Sequence, residues 1–192
     1  LKQYPRYNNF VATKPNGDIF CSAVPFSRQV NLADRPHFQA AVRTRDLTIS
    51  DYVMARTTGK GIISFAHPVV DSAGQIKAVV FAGVDLEWLN ALVAKTELLP
   101  GATLTVIDRK GTVLARFPHP EKFAGKSMAE MPLVQTILSR TKGTAEATGM
   151  DGVARLYGFS PLGNARDAYV SIGVPKDVAF AAANSILARN LV

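Results

Sequence analysis

Apolar and polar residues alternate in two stretches of this chain, and each stretch surrounds a glycine turn. The turns contain Gly17 and Gly111, and strand-like apolar runs flank both. Glycine accepts the positive φ that tight hairpin turns require. An amphipathic helix follows each hairpin, because apolar residues recur at helical spacing over 35–45 and 132–140. The pattern predicts two similar units in tandem.

A second hairpin closes each unit and strengthens this prediction. The predicted strands are 62–70 and 76–84 in the first unit, and 154–160 and 168–174 in the second, with turns at 72–74 and 163–164. Both closing strands end in the same dipeptide, Gly83-Val84 and Gly173-Val174. The repeated order predicts an α+β fold with two antiparallel sheets, joined near residues 98–102 and each flanked by helices. Residues 79–84 are almost wholly apolar, which predicts a central strand buried on both faces.

Helix signals complete the local picture. Asp34 is expected to cap the first helix, with Pro36 in its first turn. Residues 1–7 are interpreted as the end of a helix, and 175–192 as a final alanine-rich helix.

Composition narrows the function classes. The chain has 192 residues, 47% of them apolar, and a net charge of +7. Its basic residues are scattered, without the basic stripe or stacking platform that nucleic-acid binding requires. Cys21 is the only cysteine, so no intrachain disulfide forms, and its apolar strand favours a small buried side chain.

Enzymatic and cofactor signatures are missing from the sequence. His37, His67 and His119 lack the spacing of metal ligands. There is no phosphate-binding glycine loop, and no nucleophile–base or acid–base pair suggests itself. We therefore expect no cofactor, no metal and no catalytic residue in this domain.

Several short segments, taken in order, match one known family. They are 31–41 (NLADRPHFQAA), 57–60 (TTGK), 67–75 (HPVVDSAGQ), 80–86 (VFAGVDL) and, in the second half, 105–111 (TVIDRKG). Together they resemble the double Cache domain, the PAS-like extracytoplasmic sensor of bacterial membrane receptors.

The resemblance implies a specific organisation. Residues 1–7 would end an N-terminal helix, 8–98 would form the membrane-distal, ligand-binding module, 99–174 the membrane-proximal module, and 175–192 a helix toward the membrane. The domain would then be the periplasmic part of an inner-membrane protein whose flanking spans lie outside this sequence. Expected partners are a small-molecule ligand and, in the full-length receptor, a second copy. The output would be a histidine kinase, a diguanylate cyclase or a chemoreceptor module.

The resemblance also implies a ligand-binding set in the first module. Amino-acid-binding double Cache domains have an arginine, two aromatic residues, a tyrosine with an acid two positions later, and a distant aspartate. The corresponding and neighbouring residues here are Arg35, His37, Phe38, Tyr52, Met54, Ser64, Phe81 and Asp85. His37 replaces a tryptophan, Phe38 lacks a hydroxyl, and Met54 replaces the first acid. Losing that acid favours a carboxylate, or another small polar metabolite, over an α-amino acid.

Alternative roles remain open at this stage. Arg35 would equally suit an ion pair with Asp34 or Asp85, and Asp85 would suit the N-cap of a helix over 86–93. The whole domain could instead be a non-ligand-binding interaction or dimerisation module of a membrane protein. A pocket in the first module lined by Arg35, Tyr52 and Asp85 would favour sensing, and a closed apolar core would favour interaction.

Overall fold

The computed structural model describes residues 1, 3–162 and 167–181. The chain divides into two compact units, Leu1–Leu89 and Asn90–Val192. Each unit is built on its own antiparallel sheet with helices, which confirms the α+β prediction. The assignment of 8–98 and 99–174 as membrane-distal and membrane-proximal modules stays a prediction.

The first unit has a six-stranded sheet in the order β2-β1-β6-β5-β3, with β4 also pairing to β5. Its elements are β1 (Tyr7–Thr13), β2 (Ile19–Ser22), α1 (Pro36–Thr44), β3 (Thr48–Ile49), β4 (Val53–Met54), β5 (Gly61–Val70), β6 (Ile76–Asp85) and the start of α2 (Leu86–Val93). Phe38 and Ala41 of α1 pack on Ala66, Val79 and Phe81 of the sheet. The core therefore lies between α1 and one face of the sheet.

The prediction that residues 79–84 are buried on both faces is wrong. Along β6, Val79, Phe81 and Gly83 are buried, whereas Val80 is 40% exposed. Side chains alternate between the two faces of a strand, and α1 packs against the face that carries Val79 and Phe81.

The second unit repeats the topology of the first. Its five strands have the order β8-β7-β11-β10-β9. Its elements are β7 (Thr103–Asp108), β8 (Val113–Phe117), α3 (Pro120–Phe123), α4 (Pro132–Arg140), β9 (Gly143–Thr148), β10 (Ala154–Leu162) and β11 (Ala168–Pro175). In both units the last strand lies in the sheet's middle, between the first strand and the penultimate one. The predicted duplication is therefore present at the level of strand order.

The two ends of the chain differ from the prediction or lie partly outside the described residues. Residues 3–6 contain turns, and β1 already begins at Tyr7. The amides of Tyr4 and Tyr7 bond to carbonyls three residues earlier, and Pro5 has no amide hydrogen to extend a helix. The predicted final helix begins over 176–181, but 182–192 lie outside the described residues, as does the predicted turn at 163–164. Among the described helices, none combines the length and the apolar content needed to cross a bilayer.

Two further local predictions are wrong. The N-cap of α1 is Arg35 rather than Asp34, because the residue before a proline is driven into the extended conformation, seen here as φ −72° and ψ 127°. Cys21 is exposed rather than buried, since it lies on β2, which pairs only with β1 in the sheet order.

Candidate functional site

The first unit contains a cavity beside the start of α1. It measures about 50 Å³, and one water requires roughly 10–15 Å³ on the same scale, so it would admit a few water molecules as it stands. Residues of β1, β5, β6, the α1 entry and the 53–57 segment line it. Its polar lining residues are Asn8, Asn9, Arg35, His37, Arg56, Thr57 and Ser64. Among the described residues of this lining, none is acidic.

Arg35 reaches the cavity because it precedes Pro36 at the start of α1. Its Nη2 donates a hydrogen bond to the Met54 carbonyl at 2.9 Å. This is the only hydrogen bond of the Arg35 side chain within the described residues, and a guanidinium has five N–H donors. Burial, together with the charge of Arg56, lowers the pKa of Arg35, against the opposing effect of Asp34. The arginine still carries its charge at neutral pH and keeps donors for a ligand.

Arg56, the second arginine of the lining, is held by a carboxylate. Its Nη1 and Nη2 bond to the two oxygens of Asp34 at 2.6 Å each, and Nη1 also donates to the Asn31 carbonyl at 2.6 Å. Asp34 therefore pairs with Arg56. In the described part of the chain, no ion pair joins Arg35 to Asp34 or Asp85, the two partners considered from the sequence.

His37 contributes a buried, neutral imidazole. It is 6% exposed, and its ring lies edge-on to Phe81 with centroids 5.7 Å apart. Burial lowers the pKa of His37 to about 4, with a further contribution from Arg35 and an opposing one from Asp51. Its Nδ1 is buried and has no hydrogen-bond partner within the described residues. A ligand that reached this nitrogen would complete its hydrogen bonding.

Asparagine side chains hold the 57–58 segment against β1. Asn9 Nδ2 donates to Thr57 Oγ1 at 3.0 Å and to Ser22 Oγ at 2.9 Å, while Asn8 Oδ1 accepts from Thr58 at 2.6 Å. Sequence reasoning missed Asn8, Asn9, Arg56 and Thr57. The sequence did contain one signal for Asn8 and Asn9, because two consecutive asparagines are unusual in a strand. Buried asparagine side chains also require hydrogen-bond partners.

The structure brings only some of the predicted site residues to the cavity. Those that line it are Arg35, His37, Met54, Ser64 and Phe81. Phe38 lies in the core, with its ring stacked on Phe81 at 6.3 Å. The Tyr52 hydroxyl bonds to the Met54 sulfur at 3.0 Å.

Asp85 lies outside the cavity lining because β6 ends there and α2 begins at the next residue. Its Oδ1 accepts the Glu87 amide at 2.8 Å, which is an N-cap contact. Its Oδ2 lies 3.4 Å from Lys60 Nζ. The alternative role considered for Asp85, the helix cap, is thus the one that its contacts match.

Comparison with known proteins agrees with this architecture. A family model described as the Cache domain matches residues 1–183. Sporulation kinase D of Bacillus subtilis (strain 168) is 29% identical over 110 residues, which are 57% of this chain and 21% of that kinase. The match thus spans about a fifth of the kinase's length.

Solved structures share the fold at low sequence identity. The extracellular domain of the candidate histidine kinase rpHK1S-Z16 superposes with a TM-score of 0.77 at 19% identity, covering 94% of this chain and 75% of that one. The ligand-binding domain of the Pseudomonas fluorescens chemoreceptor CtaA, in complex with L-isoleucine, has a TM-score of 0.68 at 19% identity, covering 94% and 74%. The chain belongs to the Cache domain family, and its two PAS-like units make it a double Cache sensor domain.

Proposed function

We propose that this chain is the extracytoplasmic sensor domain of a transmembrane signalling receptor and that its first unit binds a small carboxylate lacking an ammonium group. We infer the ligand class from the charge of the cavity lining. The described lining contains Arg35 and Arg56 but no acidic side chain. Asp34 offsets the charge of Arg56, so Arg35 supplies the positive charge for a ligand. Of the three residues expected to line a sensing pocket, Arg35 lines the cavity, whereas Tyr52 and Asp85 do not. A polar cavity beside Arg35 still supports sensing over a non-ligand-binding interaction or dimerisation module.

The chemistry of the lining suits a carboxylate. A guanidinium presents a planar set of donors that matches two carboxylate oxygens, and Arg35 has donors beyond its bond to Met54. Asn9, Thr57 and Ser64 add neutral hydrogen-bonding groups. An ammonium group would instead require an acidic acceptor, and Asp85 is engaged by Lys60 and the Glu87 amide.

An α-amino acid is the competing ligand class, because the structurally similar CtaA domain holds L-isoleucine. In this chain a methionine, Met54, stands where the amino-acid-binding pattern has an acid. Arg35, which makes no ion pair in the described part of the chain, disfavours a zwitterion's ammonium group on Coulombic grounds, whereas Asp34 offsets the charge of Arg56. We therefore favour the carboxylate.

Signalling would follow from differential binding. A ligand shifts a conformational equilibrium only to the extent that it binds one state more tightly. The proposal places a histidine kinase, diguanylate cyclase or chemoreceptor module on the cytoplasmic side. It also predicts that the full-length gene product carries apolar spans of about 20 residues on both sides of this domain. A full-length sequence without such spans would contradict the membrane placement.

Binding measurements with matched ligands and variants test the proposal. Small carboxylates and their α-amino counterparts are screened by thermal shift, and hits are measured by calorimetry. Arg35→Ala should weaken binding of the tightest-binding carboxylate by about 1.5–3 kcal/mol, the range for hydrogen bonds to charged groups. This loss corresponds to a roughly 10- to 150-fold lower affinity. Arg43→Ala, an exposed arginine on the same helix, controls for net charge.

Asp85→Asn tests whether Asp85 takes part in binding, because asparagine keeps the helix cap but removes the charge. Carboxylate binding should survive this change. Unaltered affinity in a folded Arg35→Ala variant would refute the site. Tighter binding of the α-amino counterpart than of the simple carboxylate would establish the amino-acid alternative instead, whether or not Asp85→Asn weakens it.

A further inference from the structure

A second, wider cavity of the first unit adjoins the cavity that Arg35 lines. This outer cavity measures about 480 Å³ and opens to solvent, whereas the inner cavity, beside Arg35, measures about 50 Å³. Arg56 and Thr57 line both cavities. These two residues therefore lie between the two spaces and form a partition.

Arg56 is fixed in this partition by three short hydrogen bonds. Its Nη1 and Nη2 each lie 2.6 Å from an oxygen of Asp34, and Nη1 also donates to the Asn31 carbonyl at 2.6 Å. A bidentate pair with a carboxylate fixes the orientation of a guanidinium as well as its distance. Asp34 lines neither cavity, so it affects their shape only through Arg56.

Thr57 is held from the side of the sheet. Asn9 of β1, which is 4% exposed, donates from Nδ2 to Thr57 Oγ1 at 3.0 Å. The partition is thus anchored both to β1 and, through Asp34, to the segment that enters α1.

The two cavities differ in what they can hold. One water requires roughly 10–15 Å³ on this scale, so the inner cavity has room for a carboxyl group and little more. The outer cavity is far larger, and Pro25, Phe26 and Val30 give it apolar surface that would suit an aliphatic chain. A ligand whose carboxylate binds Arg35 would reach that surface only if the partition moved.

We propose that Arg56 is the specificity-determining residue of this site and limits the ligand to a short-chain carboxylate of about two or three carbons. The inference rests on the carboxylate site proposed above and adds the length of its ligand. Arg56 acts by its position rather than by its charge, which Asp34 offsets. A longer chain would press against the guanidinium or displace it from Asp34, and such overpacking is costly.

A chain-length series of ligands tests the size limit. Sodium acetate, propionate, butyrate, pentanoate and hexanoate are titrated into the ¹⁵N-labelled 192-residue chain, and affinities are obtained from the amide chemical shifts. Wild-type protein should bind pentanoate at least about fivefold more weakly than propionate. Arg56→Ala should reverse this order, with each added methylene group tightening binding about fourfold as it enters the outer cavity.

Two further variants separate the partition from a general effect of charge. Asp34→Ala should move the preference toward longer chains as well, because it releases Arg56 from outside both cavities. Arg28→Ala removes an exposed arginine that lines only the outer cavity, and it should keep the wild-type order. The Arg56 and Asp34 side chains are 35% and 64% exposed, and exposed ion pairs contribute little to stability, so both variants should fold with nearly unchanged unfolding midpoints.

The ratio of pentanoate to propionate affinity within one variant cancels any uniform effect of a lost charge. An unchanged ratio in Arg56→Ala would overturn the size limit, and so would an equal change of the ratio in Arg28→Ala. Binding that depends on Arg35 but has no chain-length preference in the wild type would overturn the size limit alone. Absence of binding by every carboxylate would overturn the carboxylate site together with it.

Discussion

At the scale of single residues, Arg35 and His37 of the first unit's cavity differ in charge, while Arg56 is paired with Asp34. Arg35 keeps its charge, whereas burial and the neighbouring guanidinium keep His37 neutral by lowering its pKa to about 4. The cavity thus presents one strong cationic donor set beside an uncharged ring. This arrangement favours an anionic ligand at neutral pH without the desolvation cost of a second buried cation.

The pH dependence of the free energy of unfolding should show the lowered pKa of His37. Its pKa is about 4 in the folded state and 6.5 in an ordinary peptide, so the unfolded chain binds the proton more tightly. Above about pH 6.5, His37 is neutral in both states and folding carries no cost from its protonation. As the pH falls toward 4, the unfolded chain takes up the proton first, and the folded state loses roughly 3 kcal/mol of stability. We expect the free energy of unfolding of the wild type to fall by about this amount relative to His37→Phe across that range.

Urea unfolding of both proteins at matched pH values provides the measurement, and protonation of carboxylates common to both cancels in the difference. A difference between the two proteins that stays constant with pH would show that His37 is accessible to protons in the folded state.

At the scale of elements, each hairpin turn packs under the segment that leads to the following helix. The Gly17 carbonyl accepts the Leu32 amide at 2.8 Å, and the Gly111 carbonyl accepts the Met128 amide at 2.9 Å. Both glycines have positive φ, 89° and 79°. The duplication therefore extends beyond strand order to the contact between hairpin turn and helix entry.

Gly17→Ala should be more destabilising than an otherwise similar change at Gly59. Both have positive φ, which costs a non-glycine residue about 1–2 kcal/mol. A Cβ at Gly17 would also lie 2.5 Å from the Ala33 amide nitrogen, whereas Gly59 has nothing within 4 Å. We expect Gly17→Ala to cost at least about 1 kcal/mol more, as overpacking does.

The difference in stability between the two variants is measured from their denaturant unfolding midpoints. A shift in midpoint reports stability as long as the m-value is unchanged. Equal losses of stability in the Gly17→Ala and Gly59→Ala variants would mean that the hairpin moves away from Ala33 without cost. The turn would then not position the entry to α1.

At the scale of the whole molecule, the two units have separate cores. In the first, α1 packs on Val79 and its neighbours in the sheet. In the second, a larger cluster surrounds Val134 of α4, which is fully buried. A unit with its own core can open without the other.

Val134→Ala should therefore loosen the second unit selectively. Deleting two buried methyl groups costs about 2 kcal/mol, and hydrogen exchange should accelerate within 90–181 while the protected amides of 3–89 keep their rates. Val79→Ala is the matched change in the first unit and should give the reverse pattern. Acceleration throughout the chain in either variant would mean that the units unfold as one.

Local periodicity was sufficient to predict most of the secondary structure. The helix predicted over 132–140 coincides with α4, and the strand predicted over 62–70 matches β5 to within one residue, because helical and extended backbones impose their own spacing on apolar residues. Glycine turns at Gly17 and Gly111 followed from the same local reasoning. Arg35 entered the predicted site through the family resemblance, and the start of α1 at Pro36 places it beside the cavity.

Tertiary structure alone decided which polar residues meet. The cavity joins Asn9, Arg56 and Gly83, which are far apart in the chain and come together only through the pairing of β1, β5 and β6. Pairing likewise produced the strand β9, which was not predicted from the sequence. The family resemblance assigned Asp85 to the site, but α2 begins at the next residue and Asp85 caps that helix instead. Spacing along the chain reports the backbone of one element, whereas a side chain's partners depend on elements that folding brings beside it.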